Sequence, residues 1–324
     1  IGQNIKPVTL VSIESTLPPL TMKHLVIPII EKESGMTAGE EFLVAHCPER
    51  VMPGRLLSNL VNYDRVLGGL DDRSIELGVE LYSHIVHAEL HPTDLLSAEM
   101  AKTLENAYRD VQIAFANEVA LACEELGADA FEVRRLVNTC PFRDMHIPGA
   151  GVGGHCLPKD SWLFASSLKT TNPKIITTAR EVNEYMPIRM TEIVKEGLER
   201  AGVELASAKV AIMGLAFLRD SDDTRNSPSL TIIDRLIEEV GKLVVHDPVV
   251  QNAYRVPMFR DPEEALTGAD CMVIVTDHSE YLDLDLESIK NIMRTPLIAD
   301  GRNVLSADVV RSKGLRYLGI GKGK

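Results

Sequence analysis

Short apolar runs rich in β-branched residues alternate with helical stretches along most of this chain, and this alternation constrains its fold more than any other feature. In the C-terminal part the runs lie at 209–216, 242–246, 271–275 and 297–300. A helical stretch begins near Ser227-Pro228, and others lie at about 262–267, 285–293 and 306–313. Strands that alternate with helices indicate a mainly parallel sheet covered by helices. The C-terminal part therefore predicts a doubly wound α/β domain.

The N-terminal part shows the same alternation. Apolar runs lie at 8–16, 42–46 and 65–69, and helices are expected to begin at Pro18-Pro19 and Asp71. Nothing upstream is available to pair with the first run, and residue 1 is isoleucine rather than methionine. We expect a second Rossmann-like domain whose N-terminal part is absent.

One long helix is predicted between these two regions. Apolar residues recur at helical spacing over 97–126, and Gly127 closes the pattern. Such a helix is about 45 Å long, which suits an element that connects two domains and carries a homodimer interface. A further helical stretch at 172–200 is expected to be interrupted at Pro187. The predicted domains are residues 1–90, 91–200 and 201–324.

The stretch Pro148–Asp160 is the strongest local candidate for a functional loop. Its glycines at 149, 151, 153 and 154 allow positive φ angles and close approach to a ligand. Pro158 suits the first turn of a helix, which would place Cys156 at the positive helix end, where a thiolate is favoured. The alternative is an inert buried thiol. Cys123 and Cys271 are expected in the core, whereas Cys47 and Cys140 stay undecided.

Residues 149–154 also match G-x-G-x-x-G, the dinucleotide fingerprint. That motif requires a preceding apolar strand, but the residues before it, Phe142 to Pro148, are not strand-like. We therefore reject the match.

Charge and composition exclude several classes of protein. The formal net charge is -13 over 324 residues, and no basic cluster is present, which argues against nucleic acid and anionic membrane partners. Five cysteines without a C-x-x-C pair indicate neither a disulfide framework nor a zinc site, so no metal is expected. No apolar run approaches the ~18 residues of a membrane span. This composition suits the reducing cytoplasm.

Polar residues that follow the predicted strands are candidates for ligand binding, because ligands sit at strand ends in such sheets. Thr16 and Glu49 follow two N-terminal runs, while Lys102 and Asn106 share one helix face. Arg219, Arg225 and Arg302 follow C-terminal strands and suit a nucleotide diphosphate. Each group also has an alternative without function. Thr16 could be a helix cap, Glu49 with Arg50 and Lys102 with Asn106 could be solvent-exposed pairs, and the three arginines could be ordinary surface residues.

Together these residues give the chain a resemblance to a known family. The chain resembles the UDP-sugar 6-dehydrogenases, which cover UDP-glucose and UDP-N-acetylmannosamine dehydrogenases. The matching motifs occur in the family's order over essentially the whole length: Glu14-Ser15-Thr16 with Pro18, Pro48-Glu49-Arg50, Lys102 with Asn106, Gly153-Gly154-His155-Cys156 with Lys159-Asp160, Gly214-Leu215-Ala216-Phe217, Asp223-Thr224-Arg225 and Asp300-Gly301-Arg302. In combination they are highly specific.

The resemblance implies a four-electron oxidation of a UDP-sugar C6 alcohol to a carboxylate with two NAD. Cys156 would form a thiohemiacetal and then a thioester. Lys102 and Asn106 would stabilise the oxyanion, Asp160 with Thr16 would assist proton removal, and Glu49 would serve thioester hydrolysis. The implied substrate contacts are Gly149, Gly151, Gly153, Arg219, Arg302 and, across the homodimer, Arg143. The implied cofactor contacts are Thr16, Glu49, Lys159 and Arg225.

The identity of the sugar rests on a few positions. Arg50, Val152 and His155, with Asp277-His278-Ser279, favour the UDP-N-acetyl-D-mannosamine branch, whose product is the mannosaminuronate, over UDP-glucose. Because the family's G-x-G-x-x-G segment is missing, the alternative is a non-catalytic UDP-sugar-binding fragment. A cysteine hydrolase built on His155-Cys156 is disfavoured, because adjacent residues seldom form a nucleophile–base pair.

Overall fold

A computed structural model describes residues 1–51 and 55–323. The chain divides into two compact units, one of residues 1–108 with 159–174 and one of residues 109–158 with 175–324. The three domains predicted from the sequence stay a prediction, and the last residue of the third, Lys324, lies outside the described residues.

The first unit contains a four-stranded sheet. Its strands are β1 (Leu10–Ile13), β2 (Leu43–His46), β3 (Arg65–Gly69) and β4 (Leu90–Asp94), in the order β1-β2-β3-β4. Helices α1 (Ile27–Ser34), α2 (Leu56–Asn62) and α3 (Asp72–Ser83) belong to the same unit, and one wide turn at Met22–Val26 leads into α1. Phe42, Val44 and Leu67 are fully buried core residues here. The three predicted strands are confirmed: β1 and β2 are shorter than the predicted runs, and β3 has the predicted bounds.

One strand pair departs from the parallel pattern. β1 and β3 run parallel to β2 and β4 respectively, whereas β2 and β3 are antiparallel. The predicted cap of α3 is confirmed, since the Asp71 carboxylate accepts the Ser74 N–H at 2.7 Å. The sequence pattern missed β4, because this strand, Leu-His-Pro-Thr-Asp, is partly exposed and has no apolar alternation.

Four helices follow, two of them long. They are α4 (Leu95–Leu126), α5 (Ala130–Val137), α6 (Cys156–Ser166) and α7 (Lys174–Arg200). The long helix starts two residues before the predicted Ser97, because Asp94 accepts the Ser97 N–H at 2.9 Å as its cap. The expected interruption at Pro187 is wrong: α7 runs through this residue. Pro187 is buried, and that packing offsets the missing backbone hydrogen bond.

The second unit contains a six-stranded parallel sheet. Its strands are β5 (Lys209–Met213), β6 (Lys242–His246), β7 (Met258–Phe259), β8 (Cys271–Ile274), β9 (Leu297–Asp300) and β10 (Arg316–Gly319), in the order β10-β9-β8-β5-β6-β7. The helices are α8 (Pro228–Leu236), α9 (Pro262–Leu266), α10 (Leu286–Ile292) and α11 (Ala307–Ser312). Strand order reverses between β5 and β8, the point at which doubly wound sheets bind ligands. The predicted doubly wound fold is confirmed.

A buried carboxylate joins the strand ends of this second sheet. Asp247 follows β6 and is fully buried. Four backbone N–H groups donate to it, those of Leu215, Ala216, Val249 and Val250, as does His278 Nε2 at 3.2 Å. Burial by itself raises the pKa of this carboxyl, but the His278 and backbone hydrogen bonds overcome that effect and hold its pKa well below the usual range.

We expect Asp247→Asn to lower the free energy of unfolding by about 2 kcal/mol at neutral pH, because charge-assisted hydrogen bonds are lost. A carboxyl whose pKa is depressed by folding stabilises the protein above its unfolded pKa of about 3.9 and loses that effect as the pH falls further. Urea unfolding should therefore show the difference between wild type and variant shrinking below about pH 4. The exposed Asp234→Asn is the control, and a difference that does not shrink contradicts the prediction.

None of the helices in the part of the chain that the structure describes combines the length and apolar character needed to cross a membrane.

Candidate active site

Two predicted site residues follow neighbouring parallel strands of the first unit. Ile13 at the end of β1 pairs with His46 at the end of β2, so Thr16 and Glu49 leave the same edge of the sheet. The Glu49 N–H donates to the Glu14 carbonyl at 3.3 Å, which ties the two segments together. A Glu49 carboxylate oxygen accepts the Val51 N–H at 3.0 Å. The structure thus places both residues where a ligand is expected in this fold.

A hydrogen-bonded cluster of the exposed Glu14 with the buried Tyr82 and Arg65 lies next to this edge. Glu14 accepts hydrogen bonds from the Tyr82 hydroxyl at 2.7 Å and from Arg65 Nη2 at 3.2 Å. Arg65 also donates to the Cys47 carbonyl at 2.7 Å. Burial raises the pKa of the Cys47 thiol to about 11, so this previously undecided cysteine is neutral and unreactive near neutral pH.

Helices α4 and α6 bring three other predicted residues together in the first unit. Asn106 Nδ2 donates to one oxygen of Asp160 at 2.6 Å, and Lys159 Nζ donates to the other at 2.7 Å. The Asp160 side chain is buried. Its charge is therefore held by two donors in a fixed orientation, as a proton-transfer group requires.

Lys102 lies one helical turn before Asn106 and is only 8% exposed. Within residues 1–51 and 55–323, its ammonium group forms no hydrogen bond or ion pair. A buried cation is costly unless it is paired. This ammonium is therefore suited to an anionic oxygen supplied by a ligand.

Glu99, which sequence reasoning did not single out, anchors the segment that follows Thr16. Its carboxylate is 1% exposed and accepts the backbone N–H groups of Leu20 at 2.8 Å and Met22 at 2.7 Å. The contact joins α4, one turn before Lys102, to a helix N-terminus, which favours negative charge. The only local sign of this role in the sequence was an acidic residue three positions before Lys102. The partners of Glu99 lie almost eighty residues away in the sequence, so the contact could not be predicted from the local pattern.

In the second unit, the glycine-rich loop docks on the segments that follow β5 and β9. The Ala150 N–H donates to the Gly301 carbonyl at 2.9 Å, and the Gly154 N–H donates to the Arg225 carbonyl at 2.8 Å. A Cβ on Gly153 would lie 2.4 Å from the Cβ of Phe217. Gly154 has a φ of 88°, in the left-handed region. A side chain at either position would push the loop away from Phe217.

Cys156 is the first residue of α6, at the helix end where it was predicted, and its side chain is exposed rather than buried. Cys123 and Cys271 are buried, which confirms those expectations, and Cys140 is exposed. The hydrogen bonds that Arg225 donates to the Asp223 carboxylate raise the pKa of Arg225, and the charge of Cys156 contributes in the same direction. The thiol therefore lies at a positive helix end and within the field of a guanidinium, two conditions that favour a thiolate.

The three predicted phosphate-binding arginines are found on loops of the second unit. Arg219 pairs with Asp277 at 2.6 Å and Arg225 with Asp223 at 2.5 Å, both with exposed guanidinium groups. Arg302 instead donates to the carbonyls of Val275 at 3.0 Å and Phe217 at 3.2 Å. It thereby ties together loops at the carboxyl edge of the sheet.

The remaining predicted residues lie on the surface or on this loop. Arg143 is exposed and forms long contacts, at 3.4 Å, with the carbonyls of Pro141 and Phe142. Gly149 and Gly151 are buried within the glycine-rich loop. Arg50, one of the residues that point to the sugar, donates to Glu105 at 2.9 Å.

Comparison with known proteins decides which family this geometry belongs to. Three models of the UDP-glucose/GDP-mannose dehydrogenase family match the chain: the NAD binding domain at 1–86, the central domain at 96–185 and the UDP binding domain at 211–307. A UDP-N-acetyl-D-mannosamine dehydrogenase of Pyrococcus horikoshii is 40% identical over 97% of this chain and 73% of its own length. The chain belongs to the UDP-glucose/GDP-mannose dehydrogenase family.

Solved structures of this family agree with the assignment. The structure of an NDP-N-acetyl-D-galactosaminuronic acid dehydrogenase from Methanosarcina mazei Go1 is 39% identical, with a TM-score of 0.94 over 99% of this chain and 71% of that one. A UDP-glucose dehydrogenase from Pyrobaculum islandicum is 30% identical, with a TM-score of 0.83 over 96% and 70%. As a member of the family, the protein is an NAD-dependent UDP-sugar dehydrogenase.

The residues at the edge of the first sheet fit the cofactor of this family. The Thr16 hydroxyl and the Glu49 carboxylate follow parallel strands at the edge where doubly wound sheets hold nucleotides. A hydroxyl and a carboxylate match the carboxamide and ribose hydroxyl groups of a nicotinamide nucleotide. This donor set is therefore compatible with NAD.

Proposed function

We propose that the protein oxidises the C6 alcohol of a UDP-sugar to a carboxylate through a covalent intermediate on Cys156. The observation that carries the proposal is Lys102, a largely buried residue whose ammonium has no partner in residues 1–51 and 55–323 and which follows the anchored Glu99 on α4. Together with Asn106, it supplies donors of the kind that stabilise an oxyanion. Asp160 lies four residues after Cys156 on α6, the spacing at which side chains share a helix face.

The chemistry follows from these roles. NAD, when bound, accepts one hydride in each of the two oxidations. The Cys156 sulfur attacks C6 of the aldehyde, so a C–S bond forms and the carbonyl π bond becomes an oxyanion that Lys102 and Asn106 stabilise. Oxidation of this thiohemiacetal leaves a thioester, which water cleaves to release the carboxylate and the Cys156 thiol. Asp160, with a water near Thr16, takes protons in the oxidation steps, and Glu49 activates the hydrolytic water.

Substrate and cofactor contacts complete the proposal. The loop residues Gly149, Gly151 and Gly153 bind the sugar by close backbone approach. Arg219 and Arg302 bind the substrate, and Lys159 and Arg225 contact the cofactor alongside Thr16 and Glu49. The exposed guanidinium of Arg219 supports a diphosphate ligand, since it can exchange its carboxylate partner for phosphate.

We further propose a homodimer formed through α4 and the region that follows it. Large apolar side chains are exposed in this part of the second unit, namely Phe115, Leu126, Leu136, Phe142 and Ile147. Exposed apolar side chains of this size are typical of an interface. Phe142 is fully exposed, and Arg143 next to it would reach the substrate of the partner subunit.

UDP-N-acetyl-D-mannosamine is the proposed substrate. The relative from Pyrococcus horikoshii bears that name at 40% identity, whereas the Pyrobaculum islandicum UDP-glucose dehydrogenase is 30% identical. The neighbour from Methanosarcina mazei Go1, named for a galactosamine derivative, is 39% identical. UDP-glucose is therefore the weaker alternative, and another UDP-N-acetylhexosamine is the stronger competitor.

NADH absorbance tests the function directly. The full chain is given NAD and, in parallel, UDP-N-acetyl-D-mannosamine, UDP-N-acetyl-D-galactosamine or UDP-glucose. Two NADH per sugar consumed supports the four-electron reaction, and the substrate with the highest kcat/KM identifies the sugar. If no NADH forms while a UDP-sugar still raises the melting temperature, the polypeptide binds the sugar without oxidising it and the proposal is wrong.

A further inference from the structure

Four buried polar side chains form a continuous chain of hydrogen bonds that ends on the glycine-rich loop. Arg180 Nη1 donates to Asp110 Oδ1 at 2.6 Å, and Asn183 Nδ2 donates to the same oxygen at 2.8 Å. Asn117 Nδ2 donates to Asn183 Oδ1 at 2.9 Å, and Asn117 Oδ1 accepts the Gly149 N–H at 2.9 Å. None of the four side-chain residues is more than 1% exposed. All of them, and Gly149, lie in the second unit.

The ion pair at one end dictates the orientation of both amides. The Asp110 carboxylate can only accept, so Asn183 must present its NH₂ group to it, and the Asn183 carbonyl oxygen then faces Asn117. Asn117 must therefore donate its own NH₂ group to this oxygen, and its carbonyl oxygen then faces the loop. Since Gly149 offers an N–H, each of these four hydrogen bonds joins a donor to an acceptor. A reversal of either amide would bury two like groups against each other, at considerable cost.

The same loop is held again at its other end. The Gly154 N–H donates to the Arg225 carbonyl, and Asn226 Nδ2 donates to the Gly154 carbonyl at 3.0 Å. Gly149 and Gly154 are thus both fixed, and Cys156 follows Gly154 by two residues. A loop that binds through its backbone needs such anchors, because it has no side chains with which to set its own position.

We propose that Asn117 is a positioning residue for the reaction, which sets the glycine-rich loop through Gly149 and takes its own orientation from the buried Asp110–Arg180 pair through Asn183. The inference rests on the proposed function, in which this loop binds the sugar and leads to Cys156. Asn117 lies eleven residues beyond Asn106 on α4 and touches neither sugar nor cofactor in that scheme. Its effect is exerted through the backbone of the loop.

The test compares variants of the full chain well below their melting temperatures, with NADH production as the assay. Asn117→Leu keeps the number of side-chain heavy atoms and the branching at Cγ but removes the acceptor, and we expect kcat/KM to fall by about tenfold or more, with a raised KM for the UDP-sugar. Asp110→Asn leaves Asn117 and Gly149 unchanged and removes the carboxylate that orients Asn183, but it keeps the Asp110 main-chain carbonyl, which also accepts from Asn183 Nδ2, at 3.0 Å. We therefore expect a smaller loss in the same direction. Val194→Ala, a buried apolar change on α7, is the control for destabilisation alone.

Unchanged kinetics in Asn117→Leu, or equal losses in Asn117→Leu and Val194→Ala, would overturn the proposal. Hydrogen exchange of the wild type gives a readout that needs no variant and no turnover. The Gly149 amide should exchange as slowly as the interior amides of α4, and rapid exchange would also overturn the proposal. If the wild type forms no NADH, the proposed function fails. The exchange rate of the Gly149 amide still tests whether Asn117 holds the loop in that case.

Discussion

Cys156→Ala should lower the rate of NADH formation by at least about 10³-fold, because the aldehyde can no longer be held as a thiohemiacetal for the second oxidation. Binding of the UDP-sugar should persist, since the thiol contributes no charge to nucleotide recognition. The two measurements are NADH absorbance under saturating substrate and the rise in melting temperature on addition of the UDP-sugar. Loss of the first with retention of the second separates chemistry from binding.

The matched control is Cys140→Ala. Cys140 is the other exposed thiol in the described parts of the chain, but it does not begin a helix and follows no glycine-rich loop. Its variant should turn over like the wild type. Iodoacetamide should inactivate the wild type and the Cys140→Ala variant alike, because the thiolate is favoured at Cys156. Full activity of Cys156→Ala would contradict the covalent mechanism.

Lys102→Met should lower the activity of the enzyme without lowering its stability. We expect kcat to fall by about 10²- to 10³-fold, the usual cost of removing one donor to an oxyanion. The free energy of unfolding should stay the same or rise, because a lysine that is 8% exposed is replaced by an apolar side chain of similar length. Steady-state kinetics and urea unfolding measure the two effects.

Lys32→Met is the control for loss of a lysine from a helix of the same unit. Lys32 lies on the exposed part of α1, and its variant should change neither quantity appreciably. A Lys102→Met variant that loses stability without a specific loss of kcat would show that the ammonium has a structural partner instead. In that case the site would lack its main oxyanion donor.

Sequence patterns located the central strands and the edge strand β1, but they missed the edge strands β4, β7 and β10. β6, β8 and β9 are apolar runs buried along almost their whole length, so their position in a parallel sheet is visible in their composition. β4 and β10 are partly exposed, and β7 has two residues, Met258–Phe259. At a sheet edge, pairing with the neighbouring strand rather than side-chain burial defines the strand, and pairing has no local signature.

The beginning of α6 was predicted for a local reason. Glycines that permit left-handed backbone, a proline suited to a first helical turn and a cysteine between them act within a few residues of each other. The order of motifs along the chain likewise indicated the family before any contact was known. The sequence by itself determined the α/β class, the position of Cys156 at a helix N-terminus and the resemblance to UDP-sugar dehydrogenases.

Only the tertiary structure decided which of these residues have partners. Lys102 and Asn106 look equivalent on a helix face, yet Asn106 donates to Asp160 whereas Lys102 meets no partner in the described parts of the chain. Asn117 appears as one more polar residue of a long helix, but it holds Gly149 through a hydrogen bond across 32 positions. The hydrogen-bond partner of a buried polar group depends on which elements pack together, and a local residue pattern does not contain that information.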